Sequence, residues 1–186
     1  MMIRTSVLIG SIVASLAAAG LSAQNSTSQT SVRTLVTLLD QAKLDSFAVK
    51  VDGEPDLYVS VLHVPNSQLL VVSGRYPVPA ALDARIAARD YRSAYGDHNS
   101  STMREGKLFV MDMQANGLAD SSRQGQAFDI AYENGVTTTM FNGDWRAQEL
   151  SERDYQSRFS AIDKRYAEMV DRLVDGLKKR PAPLVE

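Results

Sequence analysis

Two carboxylates stand inside apolar strand-like sequence. Asp112 follows Leu108-Phe109-Val110-Met111, and Asp129 lies between Phe128 and Ile130. A charge in such a run is costly unless it reaches water or a partner. Two acids held close in a dry place can divide acid and base roles, as glycosidase pairs do with one raised pKa. Two acids on the wet face of a half-buried sheet do no chemistry, and that is the expected placement here. The two histidines, His63 at a strand end and His98 in a loop beside Asp97, have no second histidine three to five residues away. A zinc site would have to be assembled from scattered carboxylates, and no metal site is expected. His98 reads as a loop acid or base, or simply as a solvated side chain; His63 reads as a strand-end ring, half packed. The sole tryptophan, in Asp144-Trp145-Arg146, either stacks on a ligand or caps an edge of the core.

The absences are equally informative. The chain contains no cysteine, which removes disulfides, thiolate metal sites and cysteine nucleophiles together. No two glycines are spaced as Gly-x-Gly, and neither a Gly-x-Ser-x-Gly elbow nor a Ser-x-x-Lys pair occurs. The usual dinucleotide and P-loop cradles and the usual serine-hydrolase settings are therefore missing. One cationic grouping remains: Ser73-Gly74-Arg75-Tyr76 closes an apolar run and leads through Pro77 and Pro79 toward Arg85 and Arg89, with Lys107 opening the next run. Hydroxyl and cationic donors at a strand-to-helix junction suit a phosphate; the other reading is scattered solubilising charge.

The elements that must position these residues follow from periodicity. Leu35, Leu38, Leu39 and Ala42 recur at helical spacing, giving a short helix that ends near Leu44. Strands are predicted over 47–51, 57–64, 68–73, 107–113, 128–132 and 136–141, with turn signals at Asp52-Gly53, Asn116-Gly117, Asn134-Gly135 and Asn142-Gly143. Leu69 to Val72 is apolar at every position, as expected of a strand covered on both faces. A charged surface helix is predicted from Pro79 to about Tyr95. The strongest period in the chain is Tyr155, Phe159, Ile162, Tyr166, Met169, Leu173 and Leu177, after Ser151 as N-cap. That stripe either packs on the sheet or, being near-heptad, pairs with a second copy in a homodimer.

The chain has 186 residues, 44% apolar and 23% charged, with 20 Lys+Arg against 22 Asp+Glu and a net charge of −2. This is globular composition without the basic excess of a nucleic-acid binder, so no nucleic-acid partner is expected. Residues 1–23 carry one charge, Arg4, then an apolar run over 7–19 and small residues up to Ala23. This reads as a Sec-type signal peptide, its run shorter than the roughly 20 residues a spanning helix needs. The protein is therefore expected in the periplasm or secreted, with no membrane span in the mature chain. Residues 24–32 read as a flexible polar leader, 33–180 as a single α+β domain and 181–186 as a tail.

Over roughly 35–141 the order of elements resembles the FMN-binding split-barrel superfamily, the pyridoxamine-phosphate-oxidase-like proteins. The likeness rests on a leading helix, the hairpin at Asp52-Gly53-Glu54-Pro55, the strand over 68–73, the turn with Ser73 and Arg75, a following helix and the returning strand at Lys107. It implies an antiparallel split-barrel-like sheet of about six strands with flanking helices. It also implies FMN as cofactor, with Ser73, Arg75 and Lys107 as its phosphate contacts, and a flavin-dependent oxidoreductase if the protein is an enzyme. The chain departs from that pattern in Pro77-Val78-Pro79, where the superfamily turn carries lysine, and in the added C-terminal helix. It is also similar to exported bacterial proteins, a likeness that implies no activity. The resulting expectation is an exported protein that binds a small molecule. The alternative is a non-catalytic interaction module that dimerises or binds a protein through its C-terminal helix.

Overall fold

The computed structural model describes residues 26–52, 58–64, 69–75, 106–120, 128–133 and 137–180. The expected signal peptide, the helix from Pro79, His98 and the turns at Gly53 and Gly135 lie outside them. The fold is α+β. Helix α1 (Ser28–Ala42) precedes six strands, β1 (Ser46–Lys50), β2 (Tyr58–Val64), β3 (Leu69–Arg75), β4 (Gly106–Asp112), β5 (Asp129–Glu133) and β6 (Thr137–Phe141), and helix α2 (Glu152–Lys178) closes the chain. All neighbouring strands are antiparallel and pair in sequence order, leaving β1 and β6 as the edges of the sheet among the described residues. The antiparallel sheet, the leading helix and the long last helix are as the sequence predicts.

Both helices lie on one face of the sheet and on each other. The alternation of β2, β3 and β4 supplies that face with Val59, Val61, Leu70, Val72, Leu108 and Val110. From α2 come Tyr155, Phe159, Ile162, Tyr166, Val170, Leu173 and Leu177, and from α1 Val32, Leu35 and Leu39. Burying such a set against the sheet is the main drive to fold. The predicted stripe therefore packs on the sheet and on α1, with Met169 partly buried against that core. On the opposite face, Leu69, Val71, Phe109, Met111 and Tyr132 are also buried, with Phe109 and Tyr132 packed edge to face at 5.9 Å. Leu69 to Val72 is thus covered on both sides, as its unbroken apolarity requires.

The helix ends have local causes. Ser151 Oγ accepts from the Asp154 N–H at 3.1 Å and caps α2. At the end of α1, Lys43 takes a left-handed φ of 52°, its N–H reaching Asp40 O while Leu44 N–H reaches Leu39 O; this double closure satisfies the last carbonyls. The start of α1 corrects the sequence reading. The leader expected to be flexible over 24–32 is helical from Ser28, with Ser28 and Val32 fully buried. Its first N–H groups, of Thr27 and Ser28, donate to the Asp163 carboxylate on α2. A partner 135 residues away supplies the cap that a local polar run cannot show.

Candidate functional site

The two carboxylates singled out by sequence are not on a wet face. Asp112 shares its face of β4 with Leu108 and Val110, and Asp129 shares its face of β5 with Ala131, so both point under α2. Their exposures are 0% and 1%. Asp112 is held by four donors: Gln114 N–H at 3.3 Å and Asn116 N–H at 3.1 Å on Oδ1, and Gly117 N–H at 2.7 Å and Tyr166 Oη at 3.1 Å on Oδ2. Asp129 accepts Met113 N–H and Ala119 N–H, each at 2.8 Å. The loop over 113–119 thus wraps the two acids, and its backbone donors offset part of the cost of burial. Gly117 has to be glycine here: its φ is +93°, and a Cβ would lie 2.6 Å from the Gln29 backbone.

Burial raises both pKa values. Asp129, with fewer donors and the Asp112 charge beside it, is pushed up to about 8. Asp112 is raised as well, by burial, against the opposing pull of its donors from Gly117, Asn116, Tyr166 and Gln114. Burial, and then the charges of Asp112 and Asp129, push the Tyr166 hydroxyl well above its ordinary range. The arrangement is electrostatically tuned, yet every carboxylate oxygen is already filled by the protein's own donors. Among the described residues it has the geometry of a clamp.

The network extends outward from the clamp. Leu118 N–H donates to Ser28 Oγ at 2.8 Å, tying the loop to α1. Tyr155 Oη donates to Asp120 at 2.8 Å and accepts Gly143 N–H at 3.1 Å. Neither Asp163 nor the tyrosine hydroxyls were singled out by sequence. A signal for Asp163 existed, since it interrupts the apolar face between Ile162 and Tyr166.

The cationic grouping lies at the other end of β3 and β4. Register places Ser73 opposite Phe109 and Arg75 opposite Gly106, with a bulge after Gly74, so Ser73, Arg75 and Lys107 stand on adjacent strand ends. Ser73 is buried and shares the face of Val71, away from the helices. The side chains of Arg75 and Lys107, and the whole of Arg85 and Arg89, lie outside the described residues. At this end, on the helix side, a half-open cavity of about 120 Å³ is lined by Val59, Gly74, Leu108, Arg165, Glu168, Met169 and Arg172. Arg165 donates to Glu133 at 2.7 Å; Arg172 is exposed two turns further along α2. Neither arginine was singled out by sequence.

His63 is more buried than expected, at 5% exposure, with Nδ1 3.7 Å from Asp40 Oδ1 on α1. Trp145 packs against the edge of the core with Arg146 over its ring at 4.7 Å. Among the described residues no group of three His, Asp or Glu side chains is placed to hold a metal ion, and no helix is long and apolar enough to cross a membrane. Comparison with family models, with curated proteins and with solved structures gives no match for this chain.

Proposed function

We propose that this is an exported protein that binds a small anionic ligand at the Gly74–Leu108 end of its sheet, with FMN as the first candidate. The reading is carried by one juxtaposition: a cavity with Arg165 and Arg172 in its wall opens at the strand ends that bear Arg75 and Lys107. Two guanidinium groups, that of Arg165 also paired with Glu133, beside Glu168 and an apolar floor of Val59, Leu108 and Met169 suit a phosphate or carboxylate whose remainder is aromatic or aliphatic. The fit to FMN is partial. About 120 Å³ accepts a phosphate group, whereas cavities for whole ligands of flavin size run to roughly 300 Å³ or more. The described residues therefore fit the anionic head and not the ring. Ser73, on the opposite face, supports the strand end and does not line the cavity. The interaction-module reading through the C-terminal helix loses its main support, because the stripe it needs is core.

The test is a titration of the purified chain with FMN, riboflavin and inorganic phosphate, followed by flavin absorbance and Trp145 fluorescence. Binding of FMN and phosphate, with riboflavin at least tenfold weaker and Arg172→Ala about tenfold weaker for FMN, supports the proposal. No binding of either anion at millimolar concentration overturns it.

A further inference from the structure

The β6 edge of the sheet is closed by a side chain. Gln148, in the loop after β6, donates through Nε2 to Met140 O at 2.8 Å and accepts Met140 N–H on Oε1 at 2.9 Å. Met140 is paired with Ile130, and both of its backbone groups point away from β5. The primary amide of Gln148 thus offers the same donor and acceptor that a residue of a seventh strand would offer. The loop is shaped to hold it there. Asp144 N–H donates to Asn142 Oδ1 and Ala147 N–H to Asp144 Oδ1, while Nε2 of Gln148 also donates to Asp144 O at 3.3 Å. Leu150 N–H to Trp145 O and Glu149 N–H to Arg146 O then lock the turn, with Glu149 at a φ of 57°.

The strand beneath this cap lacks the charges and prolines that often blunt an edge. Residues 136–141, Val-Thr-Thr-Thr-Met-Phe, hold no charge and no proline and consist of strand-forming types. Thr138 is exposed, and Met140, at 37%, is an exposed large hydrophobic. Two residues from Met140 along the edge, Thr138 presents its N–H and C=O in the same outward direction and has no partner among the described residues.

We infer that the β6 edge is a strand-pairing surface for β6 of a second copy of this chain, and that Gln148 is the residue that keeps it closed. A second copy fits because antiparallel self-pairing about a two-fold brings the same groups together from both sides. An uncharged strand meets no like charge when it does so. The other edge differs: β1 carries Lys50, which self-pairing would bring near its own copy.

The test replaces Gln148 by Met, which keeps length and volume but has neither donor nor acceptor for the strand. Self-association is measured by analytical ultracentrifugation from micromolar to millimolar protein, with far-ultraviolet circular dichroism to confirm the fold. The expected result is a dimer at least about tenfold tighter than any formed by the parent chain, reversed to monomer when Thr138→Lys is added. In amide exchange Met140 and Thr138 should be protected only in the dimer. A folded Gln148→Met protein that stays monomeric throughout, or a dimer that Thr138→Lys leaves intact, overturns the inference. If Gln148→Met does not fold, Asp144→Ala, which loosens the loop while leaving the amide intact, is read by the same two measurements.

Discussion

Asp112 and Asp129 share one dry site but not one set of donors, and the difference predicts how stability depends on pH. Asp129 has a folded-state pKa of about 8, against 3.8 for an aspartate in water. Between those values the folded chain holds a proton that the unfolded chain has released. The linked stability is full below about pH 4, falls by up to about 1.4 kcal/mol per pH unit as pH rises, and is gone above about 8. Urea unfolding from pH 5 to 8 should show this decline, and Asp129→Asn should flatten it; equal slopes in both proteins would mean that Asp129 is ionised throughout. Asp112→Ala strands three backbone N–H groups and a tyrosine hydroxyl and should cost about 3 kcal/mol or more in the same assay. The sequence showed that these acids were out of place but not where they pointed. Their neighbours on both strand faces are apolar, and the donors that hold them come from a loop whose shape depends on Gly117 touching α1.

Among the elements, α2 was legible in almost every respect, because Ser151 and a seven-member apolar period are local signals. Both ends of α1 were less so. Its start is capped by Asp163 from the far end of the chain, and its end uses Lys43 in the left-handed conformation where sequence reading looks for glycine. Lys43→Gly removes a left-handed strain of about 1 kcal/mol and should stabilise the protein by about that amount, measured as a higher urea midpoint at unchanged slope. Gly176→Ala should do the reverse. A Cβ at that position of α2 would run into Val49 Cγ1 and come within 3.1 Å of Phe47 Cε1 on β1, so the helix must lift from the sheet edge, at a cost of about 1–3 kcal/mol. A neutral result would show that β1 yields to α2.

At the scale of the molecule, the six strands were readable from turn residues and alternation, whereas the cavity beside the predicted Ser73–Arg75–Lys107 strand ends was not, since it requires Arg165 and Arg172 of α2 to meet Gly74 and Leu108 of β3 and β4. The same helix decides whether the fold survives without its last segment. Phe159, Ile162, Val170, Leu173 and Leu177 are buried against the sheet and α1, and each contributes about 1.5–3 kcal/mol by burial. Their sum rivals the whole stability of a domain, about 5–15 kcal/mol. Removing 151–186 also takes away Asp163, the cap of α1, and Tyr166, a donor to Asp112. The truncated chain should therefore show no cooperative unfolding transition by calorimetry, and the 113–119 loop should exchange its amides at unfolded rates. A truncated chain that melts cooperatively would mean that α1 and the sheet form a core of their own, and it would return the stripe of α2 to the role of an interface.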